Sequence, residues 1–222
     1  MEIIPGVFQI KTPMVNLYLI TEESGLTLVD AGISSAYRRV VDLIARLGRN
    51  ITELNRILLT HADIDHVGAA MQLKSKSGAR IYASQIAAEA LAEGHSSRSL
   101  KLGVLTPLVG WFESQGGGMQ VAVDEIVAGG QILPVLGGLK VIETPGHTPG
   151  HVSYYAVNEK LLFAGDAVRN LPDKVGYNRK KVTNWDHQIM QQSVHKLAGL
   201  KPEIVVCGHG PVVFDAAGKF PR

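Results

Sequence analysis

The chain has little with which it could be stapled, anchored or steered. It has 222 residues and one cysteine, Cys207, so no disulfide can form within it. That removes the usual support of small secreted domains. The N-terminal Met-Glu-Ile-Ile-Pro-Gly also lacks a basic region followed by an apolar core, so a cytoplasmic location is the default expectation. No apolar run approaches the roughly 20 residues of a membrane span, and no membrane partner is expected. The net charge is only +2, without the basic bias of a nucleic-acid binder. No repeat, low-complexity tract or Pro/Ser-rich linker appears, and one domain over residues 1–222 is expected. A Gly-x-Ser-x-Gly elbow is absent too, so nothing points to a serine nucleophile.

What is present is an ordinary globular composition, 45% hydrophobic and 19% charged. Short apolar or β-branched runs predict strands at 6–10, 14–20, 26–30, 57–59 and 81–84. A second series falls at 121–127, 131–133, 139–143, 152–157, 161–164 and 203–207. A helix is predicted from a Ser34 or Ser35 cap to Leu47, ending at Gly48. Others follow His66, with a first turn of small residues, and fill the alanine-rich stretch to Glu93. A last one runs from an Asn184 cap to Leu197, with Met190, Val194 and Leu197 on one face. Strands inside, helices outside, in two similar halves: the pattern predicts an α+β sandwich of two sheets covered by helices. Residues 94–120, with Gly103, Pro107 and three glycines at 116–118, read as a kinked helix or a flap.

The chemistry concentrates at predicted strand ends. His61, Asp63, Asp65 and His66 place four donors within six residues, between an apolar strand and a helix of small residues. Imidazole and carboxylate together suit zinc, iron or manganese. The blander alternative is a polar loop with two helix caps. Thr-Pro-Gly-His-Thr-Pro-Gly-His at 144–151 fixes two tight turns around His147. Phe-Ala-Gly-Asp at 163–166 projects Asp166, and Cys-Gly-His-Gly-Pro at 207–211 projects His209 between glycines. Each loop alone is weak; four such loops are a strong set. Cys207 reads as a small buried residue, His187 and His195 as solvated, and His95 carries no signal.

In these stretches, with Asn16-Leu17-Tyr18-Leu19-Ile20 and Leu28-Val29-Asp30-Ala31-Gly32, the sequence resembles the metallo-β-lactamase superfamily, in the glyoxalase II-like or lactonase-like branch. The resemblance implies an αββα sandwich of two mixed sheets covered by helices, with metals at one edge between the sheets. It implies two divalent metal ions, zinc first and iron or manganese as alternatives. His61, Asp63 and His147 would hold one, Asp65, His66 and His209 the other, with Asp166 between them. The commonest family pattern has histidine where this chain has Asp63, and flavodiiron proteins have a carboxylate there. Asp30 would support the site from behind, and His151 would orient a ligand rather than bind metal.

The activity so implied is hydrolysis of a small acyl substrate (an ester, thioester or lactone) by a hydroxide activated at the metal pair, with Asp65 as its proton acceptor or orienter. Alternatives in the same fold are an iron-dependent oxidoreductase, flavodiiron-like or persulfide dioxygenase-like, and a phosphodiesterase. Neither a flavin domain nor a basic exosite for nucleic acid is expected from these 222 residues. Residues 95–120 would form an apolar lid, a homodimer contact or helix core. The basic loop 167–186, with Arg169, Lys174, Arg179, Lys180 and Lys181, would either bind an anionic part of the substrate or be solvated surface.

Overall fold

A computed structural model describes residues 1–97, 120–177 and 184–221. The flap or lid expected at 95–120 falls almost wholly outside these residues, as do Arg179, Lys180 and Lys181 of the basic loop.

Seven strands build the first sheet in chain order: β1 (Glu2–Ile4), β2 (Val7–Lys11), β3 (Asn16–Glu22), β4 (Gly25–Val29), β5 (Leu54–Leu58), β6 (Arg80–Ser84) and β7 (Glu125–Val127). The first four pair antiparallel through short turns. From β4 onward the pairing is parallel, because helices intervene. These are α1 (Ala36–Arg46), α2 (Ile64–Val67), α3 (Ala70–Ser77) and α4 (Gln85–Glu93). The second sheet runs in the order β13-β12-β11-β10-β9-β8. Its strands are β8 (Ile132–Leu133), β9 (Leu139–Glu143), β10 (Val152–Ala156), β11 (Leu161–Phe163), β12 (Ile204–Val206) and β13 (Val213–Phe214). Only β11 and β12 pair parallel, across the crossover helix α5 (His187–Gly199). Both sheets are therefore mixed, and the expected αββα sandwich is the fold.

Strand periodicity explains the layering. On β3, Leu17 and Leu19 join the cluster under α1, α3 and α4, while Tyr18 and Ile20 face the other sheet. On β11, Leu161 and Phe163 face inward and Leu162 packs with Val194 and Leu197 of α5. Strands buried on both faces read as continuous apolar runs in the sequence, and every residue of β4 and β10 is buried. Tyr18 and Phe163 meet edge to face, ring centroids 5.7 Å apart, across the middle layer. Burying each such side chain contributes about 1.5–3 kcal/mol. On α1, Ala36, Val40 and Ile44 form the one buried stripe.

Two sets of cross-sheet hydrogen bonds then draw loop-bearing strand ends to one edge. Val152 N–H donates to Thr60 O (2.9 Å) and Tyr154 O–H to Leu59 O (2.9 Å), tying the exit of β5 to β10. Asn16 N–H donates to Gly208 O (2.8 Å) and Tyr18 O–H to Cys207 O (2.7 Å), tying the exit of β12 to β3. No helix among the described residues is long and apolar enough to cross a membrane.

Candidate metal centre

The four loops meet at that edge. His61 follows β5, His147 follows β9, Asp166 follows β11 and His209 follows β12. His61, His66, His147, Asp63 and Asp166 are buried, and Asp65 and His209 are partly exposed. Asp63 occupies the N-cap position of α2, yet its side chain makes no cap hydrogen bond. The cap alternative for this aspartate is therefore not what the fold uses it for.

The donor atoms form two groups around Asp166. His61, His147 and Asp166 offer three ligand atoms within 4.8 Å of one another, and so do Asp65, His66 and His209. Asp63 Oδ2 lies 3.5 Å from His61 Nε2 and 3.3 Å from His147 Nε2. Asp166 Oδ2 lies 3.5 Å from His147 Nε2 and 3.2 Å from His209 Nε2, and its Oδ1 lies 3.4 Å from His66 Nε2. Asp65 Oδ2 is 3.4 Å from His209 Nε2 and 3.9 Å from His66 Nε2. One carboxylate thus reaches imidazoles of both groups.

These separations fit a cation better than hydrogen bonds. Charge-assisted N–H···O bonds are about 2.7–2.9 Å long. Two ligands bound to one ion at about 2.0–2.1 Å, at tetrahedral angles, lie about 3.3–3.4 Å apart. Consistently, His61 Nε2, His66 Nε2 and Asp166 Oδ1 are buried without a hydrogen-bond partner among the described residues. Leaving such atoms unmet is costly. Nor does any described lysine or arginine pair with Asp65 or Asp166. A Cβ added at Gly208 would run into Asp166 Oδ1 and the His66 ring, so this glycine keeps the space between them open. Donor chemistry, spacing and unmet atoms all fit divalent metal.

Electrostatics hold the same picture. Burial would lower the pKa of His66, but Asp30 and Asp166 outweigh it and hold the imidazole well above its usual range. Burial would raise that of Asp166, and His66, His209 and His147 reverse this, holding the carboxyl well below the usual range. Asp65 is likewise lowered, with burial outweighed by His209 and His66. Asp166 and Asp65 push His209 up to about 10. Cations shared among these atoms would displace those protons.

Behind the donors, a second set of groups aims them. Asp30 sits at φ 59, a left-handed position that aspartate tolerates. From there its carboxylate accepts from Thr60 N–H (2.8 Å) and meets His66 Nδ1 at 2.7 Å. Thr60 Oγ1 lies 2.9 Å from His61 Nδ1. Asn184 Oδ1 lies 3.2 Å from His147 Nδ1. His151 Nε2 accepts the backbone N–H of Asp166 (3.0 Å), so its proton is on Nδ1, toward Thr144 Oγ1 at 2.8 Å. Burial, with His61 and His147 nearby, keeps His151 neutral by holding its pKa well below normal. It orients the Asp166 loop, at a glycine (Gly165, φ 52) whose added Cβ would meet His151 Nε2 at 2.7 Å.

Several expectations change in detail. Asp186, not Asn184, caps α5, its carboxylate accepting from Gln188 N–H and Ile189 N–H. Asn184 turns to His147 instead. His187 is half-buried, 5.7 Å from the Tyr177 ring, whereas His195 is exposed. In the basic loop Arg169 and Lys174 are exposed, and Asp173 is paired with Lys219. Cys207 is buried, with burial raising its thiol to about 12, and its Sγ donates to the His209 carbonyl (3.1 Å).

Comparison with known proteins bears on the family and the fold. The sequence model of the metallo-beta-lactamase superfamily matches residues 11–209. An uncharacterised Bacillus subtilis protein, YobT, is 30% identical over 204 residues, covering 88% of this chain and 83% of its own. The hydroxyacylglutathione hydrolase GloC of Haemophilus influenzae is 29% identical over 198 residues, covering 85% and 82%. Among solved structures, a Cronobacter sakazakii metallo-β-lactamase with a HARLDQ motif superposes with a TM-score of 0.73. It is 28% identical, covering 94% of this chain and 77% of its own. The B3 metallo-β-lactamase BLEG-1 gives 0.72 at 25% identity, covering 95% of both.

Proposed function

The chain belongs to the metallo-β-lactamase superfamily, and from that premise we propose that it is a two-metal hydrolase of small acyl compounds. His61, Asp63 and His147 would hold one divalent ion, Asp65, His66 and His209 the other, and Asp166 would lie between them. The observation that carries this reading is the set of donor separations around Asp166, which suit shared cations and are longer than charge-assisted hydrogen bonds. Zinc is the first candidate. The carboxylate of Asp63 makes the first site richer in oxygen and gives iron and manganese a place in the test.

Bound there, such ions supply Lewis acidity toward a carbonyl oxygen and bring a water's pKa near neutrality. The chain's own residues do the rest. Asp65 is partly exposed and held ionised, so it can accept or orient the proton of an attacking water. Asp166, fixed by His151, keeps the two groups in register. A covalent route through the cysteine is closed, since Cys207 is buried and its thiol sits at about 12. Ile64 and Trp185 remain exposed beside the ligands, 42% and 44%, and offer apolar contact to an acyl group.

The similar protein GloC is by name a hydroxyacylglutathione hydrolase, which supports testing thioesters first. The test is to strip the protein of metal, reload it with zinc, iron or manganese, and screen thioesters, lactones, simple esters and phosphodiesters. Hydrolysis of an acyl class by the loaded protein, and none by the stripped one, is the expected result. Turnover of phosphodiesters alone, or only oxygen-consuming chemistry in the iron form, would overturn it.

A further inference from the structure

Ser96 lies on none of the strands or loops that carry the candidate ligands, yet it touches one of them. Helix α4 ends at Gly94 in the left-handed conformation, φ 80, with Gly94 N–H donating to Leu91 O and His95 N–H to Ala90 O. The His95 ring then ties the next turn down: Nδ1 lies 2.8 Å from the Ser96 carbonyl and Nε2 lies 2.7 Å from Glu93 Oε2. The chain turned this way brings the Ser96 hydroxyl to 2.5 Å from Asp63 Oδ1, across 33 residues of sequence. Such a length belongs to a strong O–H···O⁻ bond.

The two oxygens of Asp63 therefore face different ways. Oδ1 takes the serine hydroxyl, and Oδ2 stands 3.5 Å and 3.3 Å from the Nε2 atoms of His61 and His147. An imidazole at this position would present one nitrogen along a fixed direction. A carboxylate has two equivalent oxygens and a broad, two-fold terminal torsion. Something must decide which oxygen is offered and whether one or both bind. We propose that Ser96 is the positioning residue for Asp63: its hydroxyl occupies Oδ1, so that Oδ2 alone is presented to the metal held by His61 and His147. This rests on Asp63 being a ligand, as proposed above.

Groups that orient metal ligands typically matter about 10–100-fold for metal affinity. Titration of the metal-free protein with zinc, against a chromophoric chelator, resolves the two sites in wild type, Ser96→Ala, Ser96→Thr and Asp63→Ala. Ser96→Ala is expected to weaken one zinc step by about 10–100-fold and leave the other unchanged. Ser96→Thr, which keeps the hydroxyl, should restore the wild-type value. The thermal midpoint of the metal-free Ser96→Ala protein should equal that of the wild type. Cobalt-loaded protein gives an independent readout, since the visible band of the weakened site should shift in Ser96→Ala and not in Ser96→Thr. If Asp63→Ala weakens one step and Ser96→Ala weakens neither, Ser96 has no positioning role and the ligand reading survives. Equal weakening of both steps by Ser96→Ala also overturns the proposal, as a merely structural effect. If Asp63→Ala itself changes neither step, the ligand assignment falls, and the role of Ser96 with it.

Discussion

Asp166→Asn is expected to lower kcat/KM on the acyl substrate at least about a thousandfold, corresponding to about 4 kcal/mol of lost transition-state stabilisation. The fold gives this carboxylate a place no other described carboxylate has. Its two oxygens lie 3.2–3.5 Å from imidazoles of both donor groups, so one negative charge would serve both proposed sites. An asparagine keeps the shape and the backbone N–H bond to His151, but it is neutral and turns one donor oxygen into an NH₂ group. That group is a donor only, so it can neither coordinate a cation nor accept an imidazole N–H. The variant should fold, bind less metal and turn over little. The measurement is kcat/KM alongside metal content at equal protein concentration. Full metal content with wild-type turnover would show that Asp166 does not join the sites.

Asp30→Ala should have the larger effect on stability. Asp30 is only 3% exposed, and its carboxylate meets His66 Nδ1, Thr60 N–H and the Thr60 hydroxyl at 2.7–3.1 Å. Removing it strands a buried imidazole and a buried backbone donor together. Breaking a buried pair from one side typically costs about 3–5 kcal/mol, against a total stability of about 5–15 kcal/mol. Alanine also has to adopt φ 59, which disfavours it by a further 1–2 kcal/mol or so. The expected result is a protein that unfolds at markedly lower denaturant or is recovered unfolded. Asp30→Asn tolerates the same backbone and keeps one acceptor, so it should fold and show its loss mainly as weaker metal binding. Urea midpoints of the two variants check the order. An Asp30→Ala protein as stable as wild type would mean that the His66–Asp30–Thr60 cluster does not hold the site.

The sequence singled out the candidate donors because each sits just past a strand with a strong local signature. The apolar runs ending at Leu59 and Ala164 are buried throughout, and those ending at Glu143 and Cys207 bury most of their residues, which makes them legible and puts the residues after them at strand ends. The fold was equally readable from the alternation of those runs with helical stretches. Contacts across the chain were less so. Asn184 looked like a helix cap because asparagine before an amphipathic run usually is one. Asp186, two residues later, takes the cap and frees Asn184 for His147. His187 looked solvated because its helix face is polar, but Tyr177 lies against it. Ser96 gave no local signal at all. Its meaning depends on the turn after Gly94 carrying it back to Asp63, and no spacing rule encodes a contact over 33 residues. His151 was legible only in part: the family resemblance implied a supporting role, while its bond to the Asp166 backbone required the fold.

Two cations on either side of Asp166 are the core of the proposed centre, and counting them tests it most directly. Metal-free protein equilibrated with zinc, separated from free ion and analysed for metal, should hold two ions per chain, and an Asp166→Asn sample treated alongside should hold fewer. Retention of a single ion, or of none, by the wild-type chain would contradict the two-metal centre.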